Sequence, residues 1–273
     1  MSLYDKIFKP KVYKLSNGKL VYEKRSRMPF ILSVLFIFSF ISIKITSFSL
    51  SVLIKNFGEF FIILKEIFNP NLSYFKSVIE PLFDTIKMSF LGSFLGAFVA
   101  IFFSFLASNN MVKSKIINSL TKLLFSIIRT IPTLVSALIF TYIFGLGTFA
   151  GTCAIFLFSF SYVGKLLYEQ IETVNMGAYE ALISMGYTSP LAFIKGIIPQ
   201  ILPYYLSTSL YNFEGNVRYA AILGYVGAGG LGLLINENIN WRDYNRVGTI
   251  LLALLFTVFL IENISHYFRN KLN

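Results

Sequence analysis

Apolar residues in this 273-residue chain come in long runs broken by short polar stretches. A helix needs about twenty apolar residues to cross a ~30 Å hydrocarbon core. Six stretches read as spans: Pro29 to about Leu50, Asp84–Ala107, Leu120–Phe144, the run from Gly147 to about Tyr168, Tyr204 to about Val226, and Gly248–His266. Between the first two lies Phe57–Phe68, FGEFFIILKEIF, too short and too charged to cross. It reads as an outer interfacial amphipathic helix ended by Asn69-Pro70. Residues 1–28 form a basic tail, 29–68 the first span with its outer helix, and 69–273 the core of the chain.

The longest polar break in the second half is Glu169–Pro203. Tyr179–Gly186 predicts a short helix, with Glu180 near its start and Gly186 placed to end it. Ser189-Pro190 restarts a helix, Ser as N-cap and Pro in the first turn. Pro199 and Pro203 mark where that piece bends into the next span. This predicts an ordered helix-elbow-helix presented to water.

Composition agrees: 55% of positions are hydrophobic and 14% charged, with a mean hydropathy of +0.68. The fold class is all-α polytopic membrane protein with about six transmembrane helices, its solvent mainly the lipid bilayer. The net charge of +11 is concentrated ahead of the first span, in Lys6, Lys9, Lys11, Lys14, Lys19, Lys24, Arg25 and Arg27. That pattern holds an N-terminus in the cytoplasm; no soluble basic face is present, so nucleic acid is excluded as a partner. Six crossings put both termini and the elbow inside. Thirteen Lys and Arg then fall in the inner segments against five in the outer ones, and no cleavable signal peptide precedes the first span.

Catalysis finds little support. One His (His266) and one Cys (Cys153) make neither a metal site nor a nucleophile constellation. No phosphate-binding G-x-x-x-x-G-K-[ST] loop occurs, so nucleotide hydrolysis would fall to another polypeptide. Gly227, Gly229 and Gly232 match G-x-G-x-x-G but follow a spanning helix rather than a strand. With Gly224 and Gly230 they read as packing or gate glycines. Gly92 and Gly96 likewise have the spacing for close helix approach.

Arg129, about nine residues or ~13 Å into the third span, and Arg218, deep in the fifth, are permanent charges in apolar runs and so mark the candidate pathway with Asn216. Glu214 stands four residues before Arg218, the spacing of a helical ion pair. Arg218 is thus either half of a structural pair or an anion contact, and Arg129 is open in the same way.

Glu180-Ala181-Leu182, Gly186 four residues later and Pro199 thirteen beyond that resemble the "EAA" loop, E-A-A-x3-G-x9-I-x-L-P, of ABC importer permeases. The chain departs from the pattern at Leu182, Gly196 and Ile198. Arg129-Thr-Ile-Pro132, Gly145-Leu-Gly147 and the Phe213–Gly232 block resemble the phosphonate-type subfamily. The resemblance implies the type I permease architecture and a bacterial cytoplasmic-membrane location. It also implies a second permease copy or sister chain, an extracytoplasmic solute-binding protein, and a cytoplasmic ATPase dimer that grips the elbow at Glu180, Ala181, Leu182, Gly186 and Pro199. No cofactor is implied on this chain; ATP and Mg belong to the ATPase. The solute would be a phosphonate or related phosphorus oxyanion. The alternatives are another solute, such as thiamine phosphate or an amino acid, or an ATPase-independent channel or secondary transporter.

Overall fold

A computed structural model describes residues 11–23 and 28–272. Two compact units are present, 1–61 and 62–273. In the first, β1 (Lys11–Lys14) and β2 (Leu20–Glu23) form an antiparallel hairpin that pairs Val12 with Tyr22 and Lys14 with Leu20. Its turn is set by Asn17, whose Oδ1 accepts the Lys19 N–H at 3.1 Å, and by Gly18 at φ +79°. The basic tail thus contains folded structure; Lys6, Lys9, Lys24, Arg25 and Arg27 lie outside the described residues. Helix α1 (Met28–Ile45) is the first span. Helix α2 (Leu50–Ile67) begins seven residues before the predicted interfacial helix and ends where Asn69-Pro70 requires.

The second unit is built on α3 (Phe75–Ala107), α4 (Lys115–Thr130), α5 (Thr133–Phe144), α6 (Thr148–Thr173), α7 (Gly177–Ser184), α8 (Ser189–Ala192), α9 (Ile198–Leu223), α10 (Leu231–Asn240) and α11 (Tyr244–Leu272). Among the described residues of the whole chain, four helices (α1, α3, α6 and α11) are each long and apolar enough to cross a membrane. The count reaches six if two bent pairs each make one crossing. The first such pair corrects the predicted third span. The Leu120–Phe144 run is not one rod but α4 and α5, bent by 89° at Ile131-Pro132. Pro132 removes an N–H and pushes Ile131 to extended backbone, so the helix cannot continue. The second pair, residues 189–226 and α10, bends by 51°.

Helices α3 and α6 run parallel and lie at the centre, because small residues let their backbones meet. A Cβ on Gly92 would sit 2.8 Å from Ile155, and one on Gly96 would sit 2.6 Å from the Phe156 carbonyl. Helix α9 closes against both through polar groups. Asn216 donates to Ser93 Oγ and Ser159 Oγ, each at 2.8 Å, and Asn212 donates to Ser159 at the same distance. Around this seam lie Met88, Ala137, Ala154, Ile155, Ala220 and Leu223. Buried polar pairs hold helices together where the bilayer offers no hydrogen-bonding alternative.

Candidate functional site

Residues 174–197 form the elbow, narrower than the predicted 169–203 because α6 runs on to Thr173 and α9 starts at Ile198. Asn175 Oδ1 accepts the Gly177 N–H at 2.8 Å and starts α7. Gly186, at φ +88°, ends it: Gly186 N donates to Ile183 O at 2.9 Å and Tyr187 N to Leu182 O at 3.1 Å. This is a Schellman closure, which needs a residue free to adopt the left-handed region. Thr188, not Ser189, takes the N-cap position of α8, and Pro190 lies in its first turn. Ser189 instead bonds the Tyr179 hydroxyl at 2.8 Å, tying α8 to α7.

A π-helical turn, Phe193–Ile197, joins α8 to α9. Gly196 lies in it, buried, and its missing side chain admits the backbone of α7: a Cβ there would stand 3.1 Å from Tyr179 Cα and N. Pro203 falls inside α9 rather than at its start. Helix α7 itself buries no residue. Glu180, Ala181 and Gly186 are exposed, Leu182 is half-buried, and Met185 is 66% exposed. Pro199 is exposed in the first turn of α9, on the far side of the π-turn. The elbow thus presents a short, uncovered helix.

Its base is anchored by a residue that sequence reasoning passed over. Glu172 Oε1 accepts the Asn109 N–H and faces Lys122 Nζ, both at 2.9 Å. Asn110 donates to Ile171 O at 2.7 Å. The α3–α4 link is therefore fastened to the last turn of α6, immediately before the elbow. A glutamate in the last turn of a helix looks like an ordinary surface charge until the loop 63 residues earlier is placed beside it.

Among the predicted pathway residues, the structure gathers three and leaves one apart. Asn216 and Arg218 line a cavity of about 550 Å³ between α6 and α9, with Tyr162, Tyr211 and Tyr219. Arg218 Nη2 donates to Glu214 Oε1 at 2.6 Å, the pairing predicted from their spacing. Arg269, in the last turn of α11, reaches the other oxygen: Nη1 stands 3.7 Å from Glu214 Oε2. Asn216 is 1% exposed with its amide spent on Ser93 and Ser159, so its first task is to join three helices. Arg129 does not line this cavity. It stands exposed in the last turn of α4, before the 89° bend, so the ~13 Å depth counted along a straight span does not apply. It forms no ion pair among the described residues and lies within electrostatic reach of Tyr162 and Tyr168.

The glycine run between α9 and α10 is a close-packed turn. Gly227 O accepts the Gly147 N–H at 2.9 Å, and Leu231 N–H donates to Thr85 Oγ1 at 2.8 Å. Gly224 and Gly232 pack backbone to backbone, where any Cβ would collide; Gly229 rests on Thr148 and Gly230 on Thr85. The run therefore fixes α10 against α3 and α6.

The chain is 30% identical over 200 residues to a phosphite transport system permease protein of Stutzerimonas stutzeri, covering 73% of each. It is 36% identical over 146 residues to a phosphate-import permease protein of Mycolicibacterium smegmatis, covering 54% of this chain and 27% of that one. Among solved structures, an inward-facing methionine ABC transporter superposes with a TM-score of 0.65 at 20% identity, over 74% of this chain and 99% of that one. An amino acid ABC transporter gives 0.61 at 23%, over 73% and 96%. These two matches speak to the fold. Residues 92–272, which hold the α3–α6 seam, the elbow and the cavity, match the profile of the binding-protein-dependent transport system inner membrane component. The chain belongs to that family of multi-pass transport permease subunits.

Proposed function

We propose that this chain is the membrane-spanning subunit of an ATP-driven importer of a phosphorus oxyanion, with α7 as the element through which a separate ATPase drives it. The observation that carries the reading is the uncovered α7. It is a two-turn helix with no buried residue, closed by Gly186, where the sequence resembles the coupling loop, and backed by Gly196, where it departs from that pattern. A helix left bare by its own chain fits a groove on another protein. Permeases for phosphite and phosphate among the relatives support the solute class, as does a cavity lined by Arg218 and three tyrosines.

In this reading two permease chains flank the pathway, and both termini and α7 face the cytoplasm. Two ATPase subunits, using ATP and Mg, grip the paired α7 helices, and an extracytoplasmic binding protein delivers solute. Closure of the ATPases moves α7, and the α8–π-turn–α9 segment passes that movement to the helix that carries Arg218. The switch needs only that ATP binding favour one of two arrangements. Proteoliposomes holding the chain, its ATPase and its binding protein should accumulate labelled phosphite, phosphate or methylphosphonate only with ATP. Liposomes with the chain alone should accumulate none. Uptake of methionine in their place would overturn the solute assignment, and uptake without ATPase would overturn the mechanism.

A further inference from the structure

Glu214 meets two arginines from different helices. Arg218, one turn along α9, donates to Oε1 at 2.6 Å, and Arg269 of α11 stands 3.7 Å from Oε2. The Glu214 side chain is 5% exposed, and its Oε2 is buried with no hydrogen-bond partner. A buried carboxylate is costly unless cations offset it. Here one carboxylate faces two guanidinium cations, so the cluster carries a net charge of +1. The two arginines are not equivalent. Arg269 is 21% exposed and covers the Tyr211 ring at 5.9 Å, whereas Arg218 is 51% exposed and lines the α6–α9 cavity. A guanidinium has five N–H donors, and Arg218 turns one nitrogen to Glu214. With Glu214 alone, Arg218 would present a neutral pair to the cavity.

We propose that Arg269 sets the charge of an oxyanion site at Arg218. By sharing the carboxylate, it leaves uncompensated positive charge on Arg218, which holds a small oxyanion in the cavity during passage, while Tyr162, Tyr211 and Tyr219 offer hydroxyl donors around it. Arg269 touches the acid rather than the cargo and is a positioning residue. The proposal rests on the importer reading above and adds the residue that makes its pathway anion-selective. One net charge suits transit: none gives no hold, and two hold the anion against release.

The test uses the full chain assembled with its ATPase. Thermal-unfolding midpoints are titrated with phosphite, phosphate, methylphosphonate and sulfate, and uptake is resolved into KM and kcat. Arg269→Gln brings the cluster to zero, Glu214→Gln to +2, and the double variant back to +1. Arg269→Gln should weaken oxyanion affinity on the order of tenfold, as removing one nearby charge in a partly desolvated site implies, and raise KM with little change in kcat. Arg269→Lys should restore most of it. The double variant should regain the wild-type affinity, because the charge is rebalanced although the ion pair is gone. A latch that merely joins α9 to α11 would be broken in Glu214→Gln and stay broken in the double variant; equal loss in Arg269→Gln and the double variant overturns the proposal. Wild-type affinity in Arg269→Gln does the same. If sulfate alone stabilises the complex and the charge pattern holds, the Arg269 assignment stands and the phosphorus assignment falls. If none of the four anions stabilises the wild type, the site is overturned, and continued ATP-driven uptake of a phosphorus oxyanion would leave the importer reading intact.

Discussion

Gly196 occupies the isoleucine position of the sequence pattern that the elbow resembles, so replacing it with that residue sets packing against the resemblance. Its Cβ position lies 3.1 Å from Tyr179 Cα and N, and 3.3 Å from Ala178 C. Alanine needs the α7 backbone to give by a few tenths of an ångström. Against that stands a helix-propensity gain of up to about 1 kcal/mol, so Gly196→Ala should be close to neutral. Isoleucine adds two branches toward backbone atoms that no rotamer change can move aside, and overpacking of this kind costs about 1–3 kcal/mol. Helix α7 gives way before the core does. It buries no residue and is held through Tyr179, which packs partly buried beside Phe193 and Ile197 and bonds Ser189 at 2.8 Å, while Gln200 bonds Asn175 O at 3.2 Å in the turn before it, each hydrogen bond worth roughly 0.5–1.5 kcal/mol net. Gly196→Ile should therefore displace α7 without unfolding the chain. In proteoliposomes, solute accumulated per ATP hydrolysed should fall at least several-fold for Ile and hold for Ala, with thermal-unfolding midpoints alike. A wild-type transport-to-hydrolysis ratio in Gly196→Ile would refute the claim that this contact seats α7.

Three further outcomes follow from the packing. Gly96→Val should destabilise the solubilised protein by about 2–4 kcal/mol, combining overpacking against the α6 backbone with loss of the Asn216 bridges; Gly58→Ala, with nothing within 4 Å, is the control and should leave the unfolding midpoint in place. Thr85→Ala should cost about 1–3 kcal/mol, because the buried Leu231 N–H loses its acceptor at 2.8 Å, read as faster hydrogen exchange across α10. Glu172→Gln removes the ion pair with Lys122, whose partners are 28% and 26% exposed. It should cost only about 1 kcal/mol or less yet speed proteolysis in the elbow, and cleavage at the wild-type rate would show that the elbow is held by other contacts.

Run length and breaker residues made most of the helices legible, since both act locally. The elbow was readable for the same reason: Gly186 and Pro190 impose their conformations whatever surrounds them. Other features were hidden by the rules that served elsewhere. The first two turns of α3 hold Lys76, Glu80 and Pro81, which trimmed the predicted span to start at Asp84. Helix α9 runs through Pro203, where a proline was read as a boundary. Pro132 was visible, but apolar residues continue past it, and hydropathy carries no information about an 89° bend. The hairpin turn at Asn17-Gly18 was masked by a basic segment read as a topology anchor alone.

The charged cluster shows where local reading stops. Glu214 and Arg218 are neighbours on one helix, so their pairing followed from spacing, and a pair of opposite charges reads as neutral. Arg269 lies on another helix, and nothing in its surroundings along the chain distinguishes it from Lys271 as a C-terminal anchor. Only the packing of α11 on α9 brings it to the second carboxylate oxygen, and in the proposed site that contact turns a neutral pair into a net positive charge. The same holds for Gly196, whose value lies in the α7 backbone laid across it. In both places the decisive partner is distant in sequence, and a residue that its own neighbours make look dispensable carries the proposed role.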